Sequence, residues 1–119
     1  MKNISTLEKS EKIAKLAAEK KGENIVFMEM KSISTMCDRF VIISASSSRR
    51  LTTIFNTIHK EMSKIGVKPS HSEGRNNPYW ALLDYGDVIV HIFYDEVREF
   101  YGLERLWSDA PKEKFIENE

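Results

Sequence analysis

Several features are scarce in this chain of 119 residues, and each scarcity excludes a class of protein. Cys37 is the only cysteine, so no internal disulfide can form, which fits a reducing cytosol. No apolar run approaches the roughly 20 residues that span a bilayer, and the N-terminal sequence lacks an apolar signal core. We therefore expect a cytoplasmic protein without a membrane segment.

An excess of charge of one sign is also missing, because 18 basic side chains balance 18 acidic ones. Proteins that hold nucleic acid mainly through its phosphates usually carry a basic excess, which displaces counterions. The zero net charge therefore argues against a bulk polyelectrolyte binder, and we expect no sequence-specific nucleic-acid binding. A partner should be recognised by shape and local contacts.

The residues that are present predict one domain in which helices and strands alternate. Apolar residues make up 41% of the chain, enough for a core that needs neither disulfides nor a structural metal. Hydrophobic periodicity, capping residues and β-branched runs predict helices over residues 6–21, 51–65 and 96–101 and strands over residues 25–30, 40–43, 67–73, 80–84 and 88–93. We predict a single domain over residues 1–111 and a charged C-terminal tail over 112–119, a solvated extension.

The predicted order α-β-β-α-β-β-β-α gives an α/β fold of the two-layer α+β kind. We expect a mixed sheet of about five strands with flanking helices. The strand–helix–strand unit of residues 40–73 predicts parallel pairing through a right-handed crossover. Residues 84–87 predict a tight antiparallel hairpin, and Pro69 places the weak strand at a sheet edge.

Phosphate chemistry is one candidate activity, since residues 44–48 form a serine-rich turn between a strand and a helix. The turn has no glycine and no P-loop lysine, and Asp84 and Asp87 flank a hairpin instead of forming a carboxylate pair. Serines that cap the helix explain the turn better. A nucleotide-binding enzyme is therefore the alternative, and we expect no enzyme activity.

Metal and nucleophile chemistry have weaker support. His59, His71 and His91 share no ligand spacing, and Cys37 has no CxxC partner, so we predict neither a metal nor a cofactor. Asp38 opposes any activation of Cys37 by Arg39, which favours a small buried residue. His91 lies on a strand face with Ile89 and Phe93, and the sequence leaves open whether that face is buried or exposed.

A protein-binding surface has the most support from the residues themselves. Residues 80–107 contain both tryptophans, three tyrosines and two phenylalanines with arginines among them, the residue types that dominate interface hot spots. We expect four of the apolar residues to close the core, namely Phe93, Phe100, Leu103 and Leu106. The sequence does not decide whether Trp80, Tyr85, Tyr101 and Trp107 belong to the core or to an exposed binding surface.

Two long motifs, residues 80–93 (WALLDYGDVIVHIF) and 96–111 (EVREFYGLERLWSDAP), closely resemble the ribosomal silencing factor family, also called Iojap. Residues 37–42 (CDRFVI), 46–49 (SSSR) and 20–25 (KKGENI) are similar to further segments of that family. The resemblance covers about residues 7–111, nearly the whole chain.

The resemblance implies a nucleotidyltransferase-like fold without catalytic carboxylates and a role in silencing translation. Family members bind the large ribosomal subunit through ribosomal protein L fourteen and block joining of the small subunit, while organelle members act in large-subunit assembly. Family members are often homodimers when free. Matched by motif, the partner-binding residues would be Trp80, Leu82, Asp84, Tyr85, Asp87, Arg98 and Tyr101.

Overall fold

The computed structural model describes residues 4–116, which fold around one mixed sheet. Its six strands are β1 (Glu23–Glu29), β2 (Arg39–Ala45), β3 (His71–Glu73), β4 (Trp80–Asp84), β5 (Val88–Tyr94) and β6 (Lys112–Lys114). The same residues form three helices: α1 (Thr6–Glu19), α2 (Ser48–Lys64) and α3 (Asp95–Tyr101). A single helical turn, α4 (Leu103–Leu106), follows α3. The two-layer α+β class predicted from the sequence is confirmed.

Both long helices begin after a serine whose hydroxyl caps the first turn. The hydroxyl of Ser5 accepts a hydrogen bond from the Glu8 backbone N–H, and the Glu8 carboxylate accepts one from the Ser5 N–H, which completes a capping box. The hydroxyl of Ser47 accepts from the Arg50 N–H at the start of α2. The serine-rich turn therefore serves as a helix cap.

The strand order is β3-β4-β5-β2-β1-β6, with β2 fully buried near the centre. Strand β2 pairs in parallel with β5, while the other neighbouring pairs are antiparallel. The predicted parallel pairing within residues 40–73 is wrong, because β4 and β5 lie between β2 and β3, and the parallel partner of β2 is β5. The β4–β5 hairpin and the edge position of β3 are confirmed.

Helices α1 and α2 cover one face of the sheet and form the larger core with it. Its members include Leu51, Ile54 and Phe55 of α2 and Val41 and Ile43 of β2, all inaccessible to solvent. We call this the helix-side core. Among residues 4–116, none of the helices is both long and apolar enough to cross a lipid bilayer.

The opposite face of the sheet is only partly covered. A smaller cluster joins Met28, Phe40, Ile42 and Phe93 to residues of the segments that follow β1 and α3, including Cys37 and Ala110. We call this the second-face cluster. Because α3 and α4 are short, they shield β1, β2 and part of β5 but leave β4 half-exposed on this side.

Three expectations need correction. The sheet has six strands instead of about five, because Lys112–Lys114, expected in a solvated extension, pairs with β1. Phe100 and Leu106, expected in the core, are 81% and 69% exposed. The other two apolar residues assigned to the core behave as expected, since Phe93 is buried and Leu103 packs against the second-face cluster.

Candidate functional site

Strand β4 distributes its residues alternately between the two faces of the sheet, as strand geometry requires. Ala81 and Leu83 are buried in the helix-side core. Trp80, Leu82 and Asp84 point to the opposite face, where each is half-buried. The strand therefore supplies the helix-side core with one set of side chains and leaves the other set available to a partner.

Trp80 is the centre of an aromatic group on this face. Its ring centroid lies 5.1 Å from that of Phe93, its cross-strand neighbour, and 4.6 Å from that of Tyr101 in α3. The indole N–H donates a hydrogen bond of 3.2 Å to Nδ1 of His91. These contacts hold the indole against the sheet, with part of its surface still in solvent.

His91 is buried, which settles the alternative that the sequence left open. Its ring packs edge-on against Phe40, with the centroids 4.7 Å apart. Burial removes the imidazole from water and lowers the pKa of His91 to about 4, so the ring is neutral at physiological pH. A neutral ring leaves Nδ1 free to accept from Trp80.

The short helix α3 extends the aromatic group toward solvent. Phe100 and Tyr101 pack edge to face with a centroid separation of 5.6 Å, and both are exposed. Gly102 ends the helix in the left-handed region at φ 63°, which reverses the chain into α4. The exposure of Phe100 follows from the short span of α3, whose seven residues cover little of the sheet.

A groove of about 240 Å³ lies beside Trp80. Glu73 of β3, Leu82 and Tyr101 line it, together with Gly74 and Asn77. We use the name open surface for Glu73, Trp80, Leu82 and Tyr101 of this groove, together with Asp84, which shares a strand face with Leu82, and Phe100, which packs on Tyr101. Four of the seven residues predicted from the resemblance belong to it.

The hairpin turn between β4 and β5 holds Tyr85 and Asp87 away from the open surface. Tyr85 is buried in the helix-side core, where burial raises the pKa of its hydroxyl. Asp87 accepts hydrogen bonds of 2.6 Å from Thr6 and 2.7 Å from Lys9. Asp84 also shapes the turn by accepting from the Gly86 N–H at 2.8 Å. Both aspartates therefore have contacts within the fold.

Arg98, the seventh predicted residue, is buried under α3 and connects three parts of the chain. Its guanidinium donates to the Asn24 carbonyl at 2.6 Å, to the Ser44 hydroxyl at 2.8 Å and to the Glu104 carboxylate at 3.0 Å. These bonds satisfy a charge that would otherwise be costly to bury. Arg98 positions α3, and through it Tyr101, and does not itself face the open surface.

Other kinds of chemistry find little support in the described residues. Burial raises the pKa of the Cys37 thiol to about 11, which opposes the thiolate that a nucleophile needs. Ser44 is buried against Arg98, and Ser47 caps α2. Within residues 4–116, no three histidine, cysteine, aspartate or glutamate side chains lie together in a way that could hold a metal ion.

A second groove, of about 780 Å³, lies between α3–α4 and the strands β1 and β6. Its charged lining mixes both signs, with Arg105, Lys112 and Lys114 near Asp95 and Glu99. Because neither sign predominates, this groove indicates no particular class of ligand.

Comparison with known proteins identifies the family. The family model described as "Ribosomal silencing factor during starvation" matches residues 3–119. The chain is 38% identical over 93 residues to ribosomal silencing factor RsfS of Halalkalibacterium halodurans, which covers 78% of this chain and 80% of the relative. It is 25% identical over 99 residues to the mouse protein named mitochondrial assembly of ribosomal large subunit protein 1, covering 81% and 43% of the two chains.

The fold is shared with a crystal structure of a Chromobacterium violaceum protein. The two superpose with a TM-score of 0.85 at 24% sequence identity, over 96% of this chain and 95% of the other. The match of the family model to nearly every residue, together with the RsfS relative, decides the assignment. The chain belongs to the ribosomal silencing factor family.

Proposed function

We propose that this protein is a non-catalytic translational repressor that binds the large ribosomal subunit through ribosomal protein L fourteen. Bound there, it prevents the small subunit from joining. The names of the relatives, silencing factor and large-subunit assembly protein, support a function at the ribosome. The proposal assigns the contact to the open surface.

The observation that carries this proposal is the packing of Trp80. A half-buried indole, fixed by Phe93, Tyr101 and His91 on a rigid sheet, is typical of a preorganised binding anchor. Exposed Phe100 adds apolar area beside it. A standard interface of roughly 1,600 Å² can reach nanomolar affinity when a few such anchors are well packed.

The charges on the open surface suit a basic partner. Glu73 lies opposite Leu82 on β3, with its carboxylate 2.6 Å from Nε2 of His71, and Asp84 follows two residues after Leu82 on the same face of the sheet. Carboxylates placed in this way steer a cationic surface into register and discourage acidic ones. Ribosomal proteins are commonly basic, so this distribution favours a protein contact over a contact with RNA phosphates.

A steric mechanism needs only size and position. The described part of the chain measures 38 × 32 × 31 Å. A body of this size, bound on the subunit-facing side of the large subunit, occupies space that the small subunit needs. No chemical step is required, in keeping with the capping role of the serine-rich turn.

Replacing the anchor tests the assigned surface. We expect Trp80→Ala to weaken binding to purified large subunits by about 2 kcal/mol, roughly 30-fold, because truncating an interface hot spot costs at least this much. Co-sedimentation over a series of protein concentrations measures the change. Leu7→Ala, which removes an exposed apolar side chain from α1 on the helix layer, is the matched control and should bind normally. Normal binding by Trp80→Ala would contradict the assignment.

Large-subunit assembly is the second candidate function, favoured by the name of the mouse relative. The two functions use the same contact but differ in timing. Added protein that converts joined ribosomes into free subunits in a sedimentation profile supports silencing, whereas precursor particles that accumulate in growing, depleted cells support assembly. Saturable binding of a nucleoside triphosphate with magnesium in calorimetry would contradict the non-catalytic proposal.

The proposal includes a homodimer of the free protein. Phe100 and Leu106 expose large apolar side chains that a second copy would cover. Sedimentation equilibrium of the purified protein should show dimers, and Phe100→Ser should shift the equilibrium toward monomers. A parent protein that stays monomeric at high micromolar concentration would contradict this part.

A further inference from the structure

The orientation of the Trp80 indole is controlled by an atom on the neighbouring strand. Trp80 pairs directly with Phe93, and its indole reaches diagonally along β5 to Nδ1 of His91 at 3.2 Å. An indole has one N–H donor and no acceptor. Its only polar group is therefore directed into the sheet, and the partner meets ring carbon atoms.

The acceptor itself has little freedom to move. His91 is buried between the edge contact with Phe40 and a nearly parallel ring of Phe93, whose centroid is 6.2 Å away. Across the sheet its register neighbours are Ile42 on β2 and Leu82 on β4. A side chain enclosed in this way holds Nδ1 at a constant position relative to Trp80.

The choice of imidazole is costly for the core. With Nδ1 accepting from Trp80, the proton of the neutral ring lies on Nε2, and this buried atom has no hydrogen-bond partner within residues 4–116. An unpaired buried donor loses its bonds to water and gains none in the fold, which destabilises the protein. A phenylalanine would fill a similar volume without that cost but would leave the Trp80 N–H without its acceptor, so the advantage of an imidazole here lies in this one hydrogen bond.

We propose that His91 is a positioning residue for partner binding, one that fixes the Trp80 indole so that this side chain presents its ring face, and not its N–H donor, to the partner. This rests on the proposed binding role of the open surface. The partner group that packs on Trp80 is consequently apolar or cationic, such as an aliphatic side chain or the stem of a lysine or arginine, and does not accept a hydrogen bond from the indole.

The hydrogen bond can be observed directly by nuclear magnetic resonance. The two tryptophans give two indole N–H signals, and Trp107→Phe assigns them. In the unsubstituted protein we expect the Trp80 signal to lie downfield and to exchange slowly with water. His91→Phe should move it upfield and accelerate its exchange. An unchanged Trp80 signal in His91→Phe would overturn the proposal at its first step.

Two variants of His91 separate positioning from a structural role. His91→Phe removes the acceptor and the unpaired donor, so we expect equal or higher stability but about fivefold weaker binding to large subunits, the loss of about one hydrogen bond. His91→Asn keeps an acceptor near the Nδ1 position but leaves a gap, so it should be less stable and bind more tightly than His91→Phe. A merely structural histidine predicts that binding follows stability in both variants, which would overturn the proposal.

Trp80→Ala in the same series distinguishes the two ways in which the inference can fail. If Trp80→Ala binds weakly and His91→Phe binds like the unsubstituted protein, the open surface stands and the positioning role is overturned. If Trp80→Ala binds normally, both the assigned surface and the positioning role are overturned. If both variants bind weakly while His91→Phe remains stable, the positioning role is supported.

Discussion

The carboxylate of Asp87 joins the β4–β5 hairpin to α1 through its bonds to Thr6 and Lys9. Partial burial raises the pKa of Asp87, but the hydrogen bonds from Lys9 and Thr6 outweigh this effect, so the pKa lies below its ordinary value. We expect Asp87→Ala to lower the free energy of unfolding by about 1.5–3 kcal/mol, the contribution of hydrogen bonds to a charged group. Urea denaturation measures it.

Asp109→Ala is the matched control for Asp87, because it removes an exposed carboxylate from the turn after α4. It should leave stability unchanged. An equal loss in both variants would show that the ion pair at α1 contributes nothing specific. Binding to large subunits should change little in Asp87→Ala at temperatures where the variant is folded, since the carboxylate is engaged within the fold.

His91 makes stability depend on pH in a defined window. Its pKa falls from the ordinary 6.5 to about 4 in the folded protein, so the unfolded chain binds the extra proton between these values. The part of the stability that depends on a neutral His91 is therefore fully present above about pH 6.5 and is lost as the pH falls toward 4. The difference corresponds to about 3 kcal/mol.

Denaturation at pH 7, 5.5 and 4.5 tests this dependence. His91→Phe should lose less stability than the unsubstituted protein over that range, because it has no imidazole to protonate. The depressed pKa of Asp87 acts at lower pH, since its stability is present above the ordinary carboxyl value of 3.8 and is lost below it. Parallel curves for the two proteins between pH 7 and 4.5 would contradict the assignment to His91.

Sequence reasoning succeeds for residues whose side is set by strand alternation. The period of two places His91 on one strand face with Ile89 and Phe93, and the contact between the rings of His91 and Phe93 confirms it. It fails for Tyr85, because a turn residue has no fixed side and this ring folds back into the helix-side core. It fails for Phe100 because the area that α3 covers depends on where Gly102 reverses the chain.

At the scale of elements, Arg98 connects α3 to the sheet and to α4. Replacing it with methionine keeps the aliphatic stem but leaves the Ser44 hydroxyl and the Asn24 carbonyl without this donor. We expect Arg98→Met to lower the free energy of unfolding by about 2–3 kcal/mol. Amide hydrogen exchange should also become faster in α3, because its main attachment to β1 and β2 is gone.

Arg105→Met, in α4, removes an exposed arginine close to Arg98 in sequence and is the control. It should change neither the stability nor the exchange rates of α3. If Arg98→Met behaves like Arg105→Met, the bonds of the guanidinium do not hold α3 in place. Weaker binding by Arg98→Met alone would then have to come from a direct contact with the partner.

Strand β6 shows what sequence patterns cannot indicate about elements. Lys112–Lys114 has no apolar residue and no alternation, so nothing local favours a strand. The strand is stabilised by its backbone pairing with β1, to which it runs antiparallel. Glu113 adds an ion pair, with its carboxylate oxygen 3.4 Å from a guanidinium nitrogen of Arg39. The stabilising contacts are long-range, and their geometry depends on the path of the chain after α4.

At the scale of the whole molecule, the zero net charge predicts a weak dependence of binding on salt. A protein that holds RNA through 6–10 phosphate contacts loses roughly 10³–10⁵-fold in affinity between 50 and 200 mM salt, because bound counterions are released. The open surface offers two carboxylates around an apolar centre, and its affinity should come mainly from Trp80 and its neighbours.

We therefore expect the affinity for large subunits to fall less than about tenfold over that range, because apolar burial is insensitive to salt at these concentrations. Co-sedimentation at several salt concentrations that keep the subunits intact measures the slope. Glu73→Gln together with Asp84→Asn should slow association at low salt and flatten the slope further, since these carboxylates steer a basic partner. A steep slope that the double variant leaves unchanged would indicate that basic residues elsewhere on the chain bind RNA, and the balanced charge would then conceal a nucleic-acid contact.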